Sequence, residues 1–414
     1  LSMSEEKFEY DHTGQQTFDK LIISDSNETK LQKIIDQCEK NPFLYKFISA
    51  NDAGSTGSHQ SGIYLPNSSW PFYFDSEGVK GKNKDRFVTI NWETEGLETK
   101  SRFIWYGEKT RREYRLTRFG REFPYLKDDY IGSLMILVKT GEDDICGWVL
   151  DRDDEIENFL SQFSISHLDR GNIRIPQRKG TDIPENEFNQ NQLIEDFIRN
   201  LKGNPPKGTA ISEIARQICA SSERSMDADE KLVNWVNTEY QIYRLVENSL
   251  HQPFINAGNH TLDEILEFSL SVLNSRKSRA GKALEYHLAA IFDEQRIHYS
   301  HGEISEGRSR PDFIFPGISE YHDSRFNSGH LVFLGSKTTC KDRWRQILPE
   351  AKRINRKHLF TLQQGISSNQ LGEMERENVT LVVPRMNLNS FPEPWRPKLL
   401  TLGSFVEYVR MTTS

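Results

Sequence analysis

The feature that most constrains this chain is a change of hydrophobic period about 170 residues in. Before it, short apolar or aromatic runs recur at strand spacing: Gly62–Leu65, Arg86–Trp92, Arg102–Tyr106, Leu134–Val138 and Gly147–Leu150. Turn-rich pieces such as Asn51–Ser58 separate them, the rhythm of a small barrel or sandwich. After it, apolar residues fall at helical spacing, at Leu193, Ile194, Phe197, Ile198 and Leu201, then at Leu232, Trp235, Val236, Tyr240, Ile242, Leu245 and Val246. A long helix is predicted around Gly281–Gln295, and strands with intervening helices at Asp312–Phe315, Leu331–Leu334, Leu359–Leu362 and Thr380–Val383. Residues 166–190, between the two regimes, are polar, contain Pro and Gly, and show little periodicity. At 414 residues two domains are expected. The boundaries read as a β-rich domain over 1–170, a linker over 171–190 and an α/β domain over 191–414, with no internal repeat.

The bulk charge is misleading and the local charge is not. A net charge of −7 argues against a nucleic-acid partner, yet residues 101–121 hold Arg102, Lys109, Arg111, Arg112, Arg115, Arg118 and Arg121 against only Glu108 and Glu113. Residues 337–357 hold eight Lys and Arg against Asp342 and Glu350. Acidic residues gather elsewhere, in Glu142-Asp143-Asp144 and Asp151-Arg152-Asp153-Asp154-Glu155. No apolar run reaches membrane-spanning length and no signal peptide is expected; Leu1-Ser2 ahead of Met3 reads as a tag remnant. Cys38, Cys146, Cys219 and Cys340 are scattered, without metal-ligand or disulfide spacing, which fits a reducing cytoplasm.

Three residues carry a chemistry. Asp312 follows Pro311 at the start of an apolar strand, Lys337 ends a later strand, and Glu350 lies on the predicted helix from Asp342 to Ile354, whose apolar face is Trp344, Ile347, Leu348, Ala351 and Ile354. Two acids near a lysine is what metal-dependent phosphodiester cleavage requires: the acids hold a divalent cation against the phosphate, and the lysine orients water and offsets developing charge. The commonest nuclease pattern puts an acid two residues before the lysine; that position is Gly335, so Glu350 is the natural replacement. A Pro-Asp strand start and a solvated strand-end lysine are each common alone, and only the set points to a site.

Longer runs carry a resemblance. Ser275–Lys282, Arg310-Pro311-Asp312-Phe313, Lys337–Gln346 and His358–Gln363 resemble the catalytic domain of the EcoRII family of type II restriction endonucleases. Asn51–Pro66 and Lys109–Arg121 are similar to that family's effector DNA-binding domain. The resemblance implies an N-terminal B3-like pseudobarrel and a C-terminal PD-(D/E)xK nuclease core. It implies Mg2+ as cofactor, held by Asp312 and Glu350; Glu285, beside the apolar stripe of Leu284 and Leu288 on the predicted helix, is read either as a ligand to a second metal or as a helix-surface carboxylate. Lys337 takes the lysine's place, and Lys341 and Tyr321 fall on positions counted in the site. Double-stranded DNA and a second copy of the chain are the implied partners, with no membrane; a cognate DNA methyltransferase is implied genetically, not as a physical partner. The departures are Gly335-Ser336, where relatives carry small apolar residues, and Tyr114, where they tend to be basic.

The same resemblance assigns the DNA contacts. Arg276, Lys277, Arg279 and Lys282, at a predicted helix start, and Arg343 would meet the DNA being cut, since arginine forks suit guanine edges. His59, Tyr64, Lys109, Arg111, Glu113 and Arg115 would meet effector DNA, the alternation of Arg111, Glu113 and Arg115 turning all three to one strand face. The implied activity is Mg2+-dependent double-strand cleavage at a CCNGG- or CCWGG-like site, leaving 5′-phosphates, with a second site bound as effector. Two alternatives stand beside it: a B3-type DNA-binding protein with a degenerate nuclease core, and a recombinase using Tyr321 as a covalent nucleophile.

Overall fold

The computed structural model describes residues 30–54, 62–176 and 192–413, which form two domains. The first contains helix α1 (30–40) and strands β1 (Phe43–Phe47), β2 (Ile63–Leu65), β3 (Lys84–Trp92), β4 (Leu97–Tyr106), β5 (Glu113–Thr117), β6 (Leu134–Lys139) and β7 (Asp144–Leu150), then α2 (Asp153–Gln162) and β8 (Gly171–Arg174). The eight strands form one sheet ordered β2-β5-β4-β3-β7-β6-β1-β8, antiparallel except for the β3–β7 pair. The sheet is nearly closed: a 3-10 turn after β2 brings the Ser68 hydroxyl 3.0 Å from the Asn172 side-chain oxygen on β8.

All five predicted strands of this half are present. The run Leu134–Val138 lacks polar alternation because both faces of β6 are covered. Met135 and Leu137 face the interior with Trp92 and Phe103, while Ile136 and Val138 pack on α1 and α2 through Ile34, Phe159 and Leu160. Strand β8 pairs with β1, so the sheet extends past residue 170 into the first part of the stretch expected as linker.

The second domain contains α3 (Gln192–Leu201), α4 (Ala210–Cys219), α5 (Ala228–Ala257), α6 (Leu262–Glu294), β9 (Ser300–His301), β10 (Phe313–Phe315), α7 (Ile318–His322), β11 (Val332–Lys337), β12 (Lys357–Thr361), α8 (Ser368–Arg376), β13 (Val379–Val382) and α9 (Leu402–Thr413). Its sheet runs β13-β12-β11-β10-β9, parallel from β11 to β13 and antiparallel from β9 to β11. Alternate strand residues go to opposite layers. Phe313, Phe315 and Leu334 meet Trp235, Leu288, Phe292 and Phe405 of α5, α6 and α9. Ile314, Phe333 and Leu359 meet Trp344, Ile347 and Leu371. Among the described residues no helix is long and apolar enough to cross a membrane.

Two expectations are corrected here. Ser275–Lys282 is not a helix start: α6 begins 13 residues before Ser275, after a capping box in which Thr261 and Glu264 exchange side-chain and backbone bonds, so the basic cluster is mid-helix. The helix predicted from Asp342 to Ile354 is only a 3-10 segment, Arg343–Ile347, followed by turns. Pro349 brings no backbone N–H, and Ala351 takes a left-handed φ of 45°, either of which stops an α-helix. Glu350 therefore sits in a bend, although Trp344, Ile347, Ala351 and Ile354 are buried as the pattern required.

Candidate active site and the face that covers it

Asp312 directly precedes β10 and Lys337 is the last residue of β11. Because these strands are antiparallel, with Phe313 opposite Leu334, the start of one lies beside the end of the other. Ser336 fixes the aspartate, donating from its backbone N (2.7 Å) and Oγ (3.1 Å) to one carboxylate oxygen. Gly335 explains why the second acid is not on β11. A Cβ there would stand 2.9 Å from Ile347 Cγ2, so the 3-10 segment packs where a side chain would have to leave.

The second carboxylate arrives on the β11–β12 crossover. Burial, then repulsion from Asp312, pushes the Glu350 carboxyl up to about 7, against the pull of Lys337 and Lys357. Asp312 is itself raised, first by burial and then by Glu285, with Ser336 and Lys337 opposing. Two half-buried acids, both raised and one of them by the other, lack positive charge, and their donors are oxygen only, which suits a hard divalent cation. Mg2+ usually takes one or two protein carboxylates and completes its shell with phosphate and water, so this pair fits it.

Glu285 is near enough for its charge to raise Asp312, but its own carboxylate is engaged. It is held by Lys282 at 2.9 Å and His301 at 3.1 Å, and among the described residues no three His, Cys, Asp or Glu side chains gather as a metal site. Burial opposes its ionisation, but His301 and Lys282 outweigh burial and hold it below the ordinary glutamate range. Tyr321 is buried, with its hydroxyl on the Glu306 carboxylate and accepting from the Arg353 backbone N at 3.2 Å. That is the setting of a structural phenol, not of an accessible nucleophile.

Lys341, Arg343, Arg276 and Arg279 are occupied, three of them by the N-terminal domain. Lys341 is buried and its ammonium lies against Asp151 and, at 2.9 Å, Ser133 Oγ. Arg343 binds Glu157 of α2, which also accepts from Thr338 (2.7 Å) and Thr339 (3.0 Å). Burial resists ionisation of Glu157, but His167 and Arg343 outweigh it and lower its pKa. Asp153, at the start of α2, accepts from the backbone N atoms of Lys341 (3.1 Å), Asp342 (2.7 Å) and Arg343 (3.2 Å). Arg276 chelates Glu247 at 2.7–2.8 Å and donates to the Ser161 carbonyl at the end of α2 at 2.6 Å. Arg279 is tied to Glu239 of α5 and to the Gly208 carbonyl. Lys277 is half-buried.

In the N-terminal domain, Lys109 and Arg111 are exposed on the loop before β5, Arg111 stacking over Tyr106. Arg111 is therefore not on the strand with Glu113 and Arg115, as the alternation suggested. Glu113 and Arg115 do share a face, but they bond each other at 3.1 and 3.3 Å, and Arg115 is buried. Tyr114 is buried in the core inside the nearly closed sheet, so it is a packing residue and not a DNA contact. Tyr64 is partly exposed on β2, and His59 lies outside the described residues. Sequence reasoning missed Ser336, Glu306, Lys357, Asp153 and Glu157. Only the acidic run at 151–155 gave a signal, as a local gathering of negative charge with no partner assigned.

Comparison with known proteins agrees with this two-domain layout. Two family models match: "EcoRII C terminal" over residues 243–406 and "Restriction endonuclease EcoRII, N-terminal" over residues 39–171. The type II restriction enzyme EcoRII of Escherichia coli is 36% identical over 392 residues, covering 89% of this chain and 94% of that enzyme. The type II restriction enzyme SsoII of Shigella sonnei is 28% identical over 135 residues, 30% of this chain and 43% of that enzyme. Among solved structures, Ecl18kI in complex with uncleaved DNA aligns with a TM-score of 0.43 and 18% identity over 53% of this chain and 83% of that one. A PspGI–substrate DNA complex aligns with a TM-score of 0.41 and 16% identity over 51% and 95%. With both family domains in order and a relative matched over nearly its whole length, this chain belongs to the EcoRII family of type II restriction endonucleases.

Proposed function

We propose that the enzyme acts as a Mg2+-dependent homodimer that cuts both strands of DNA at a short CCNGG- or CCWGG-like site and leaves 5′-phosphates. Each chain carries one set of Asp312 and Lys337 at strand ends and Glu350 on the β11–β12 crossover and so serves one strand, and a symmetric site calls for a symmetric pair of chains. The observation that carries the reading is the coupling of Asp312, fixed by Ser336, with Glu350 beside Lys337. Asp312 and Glu350 hold the cation, which when bound draws charge from the phosphate and acidifies water. Lys337 orients the attacking water. Lys341 and the DNA contacts from Arg276, Lys277, Arg279, Lys282 and Arg343 act once the domains part.

The N-terminal sheet serves as a B3-like effector domain, using Tyr64, Lys109, Arg111, Glu113, Arg115 and His59 to bind a second copy of the site. Support for restraint by this domain comes from α2, which occupies Arg276 and Arg343 while Asp151 occupies Lys341. The degenerate-nuclease alternative has no support, since Asp312, Lys337 and Glu350 are all present. Sequencing the ends of plasmid digested in Mg2+ tests the proposal, because it gives site, cut position and end chemistry together. Absence of cutting in Mg2+ on DNA carrying several candidate sites would sink it.

A further inference from the structure

The bend that carries Glu350 is not held by regular secondary structure. Its backbone is satisfied from two sides by two charged side chains outside the metal-binding pair. From one side, the buried Lys357 ammonium donates to the carbonyls of Glu350 (2.5 Å), Ala351 (2.5 Å) and Ile354 (2.7 Å). From the other, Glu306, on the loop between β9 and β10, accepts from the Lys352 backbone N at 3.0 Å, and the Tyr321 hydroxyl bound to Glu306 accepts from Arg353 N at 3.2 Å. The segment so gripped includes Ala351 at its left-handed φ of 45°, a conformation that alanine does not choose unaided.

We infer that Lys357 and Glu306 are positioning residues: acting through the 350–354 backbone, they seat the Glu350 carboxylate against Asp312 so that the pair can share one divalent cation. This rests on the assignment of Asp312 and Glu350 as the metal-binding pair. An acid on a strand would be oriented by the sheet itself. Gly335 shows that the sheet position is closed, so an acid on an irregular crossover needs another source of rigidity. A lysine spanning three carbonyls and a carboxylate taking the opposing N–H groups supply it. In this arrangement Tyr321 contributes through its hydroxyl's place in the clamp and forms no bond to DNA.

The test measures metal binding separately from cleavage. Mn2+ binding to the full-length protein is counted by the EPR signal of the free ion, with Asp312→Ala as the baseline lacking the site. Lys357→Met and Glu306→Ala should each weaken the Asp312-dependent Mn2+ binding by tenfold or more. The Mg2+ concentration giving half-maximal plasmid cleavage should rise by a similar factor, and saturating Mg2+ should restore most of the rate. DNA affinity without divalent ions should stay within twofold of wild type. Glu306→Ala leaves the buried lysine in place, so it carries the test should Lys357→Met fail to fold. Wild-type Mn2+ affinity in either folded variant, or lost cleavage with unchanged Mn2+ affinity, would overturn the clamp. If wild type and Asp312→Ala bind Mn2+ alike, the metal-pair assignment itself fails and the clamp falls with it.

Discussion

Glu157 offers the sharpest handle on restraint, because it belongs to the N-terminal domain yet closes on the segment after the site lysine. Its carboxylate accepts from Thr338, Thr339 and Arg343, three groups of the catalytic domain. Hydrogen bonds to an ionised partner contribute about 1.5–3 kcal/mol each, and the Arg343 bond falls at the low end because that side chain is 32% exposed. Allowing for non-additivity, Glu157→Ala should weaken the domain contact by about 3 kcal/mol. At about 1.4 kcal/mol per factor of ten, that raises the population with a free Arg343 by up to about 100-fold. The remaining grip of Asp153 and Arg276 keeps the gain below that ceiling. The assay is the initial rate of cutting a plasmid with one recognition site, compared with a plasmid with two. The variant should cut single-site DNA about 10- to 100-fold faster than wild type and two-site DNA at nearly the wild-type rate. An unchanged single-site rate in a variant that melts normally would refute the view that α2 restrains the cleft.

Asp312→Ala should abolish cleavage while specific DNA binding in Ca2+ stays nearly intact, checked by gel shift and plasmid nicking side by side. Glu350→Gln should stabilise the metal-free protein above neutral pH. The folded-state pKa of Glu350 is raised to about 7, so wild type loses stability relative to the variant as pH climbs from the ordinary glutamate range through 7, and the two coincide at low pH. The full gap of roughly 3 kcal/mol, discounted for partial exposure to about 1–2 kcal/mol, corresponds to about 2–8 °C at pH 8.5 in EDTA by thermal melting. Equal melting at pH 8.5 would contradict it. Tyr321→Phe should lose less than about tenfold in cleavage rate and leave no protein–DNA adduct, since Phe keeps the buried ring and loses only the clamp hydroxyl. Denaturing gels of reaction mixtures check the adduct.

What the sequence determined by itself was the set of elements and the chemistry. The change from period two to helical spacing separated the domains, because each period buries a different face and neither can imitate the other. Asp312 and Lys337 were legible because both sit at ends of apolar runs that could only be strands. Tertiary structure decided the rest. Periodicity from Trp344 to Ile354 marked residues that are indeed buried, but burial alone does not specify a helix, and Pro349 with Ala351 made a bend instead. The strength of Glu113 and Arg115 as base readers depends on whether they are occupied, and only their mutual bonds show that they are. The acidic run at 151–155 had no legible partner because Lys341 and the backbone at 341–343 lie 188–190 positions away in the chain from the acids that bind them, a distance that no local pattern spans. Lys357 was just one more basic residue until the fold closed three carbonyls around it, because a backbone acceptor leaves no mark on the identity of the residue that provides it.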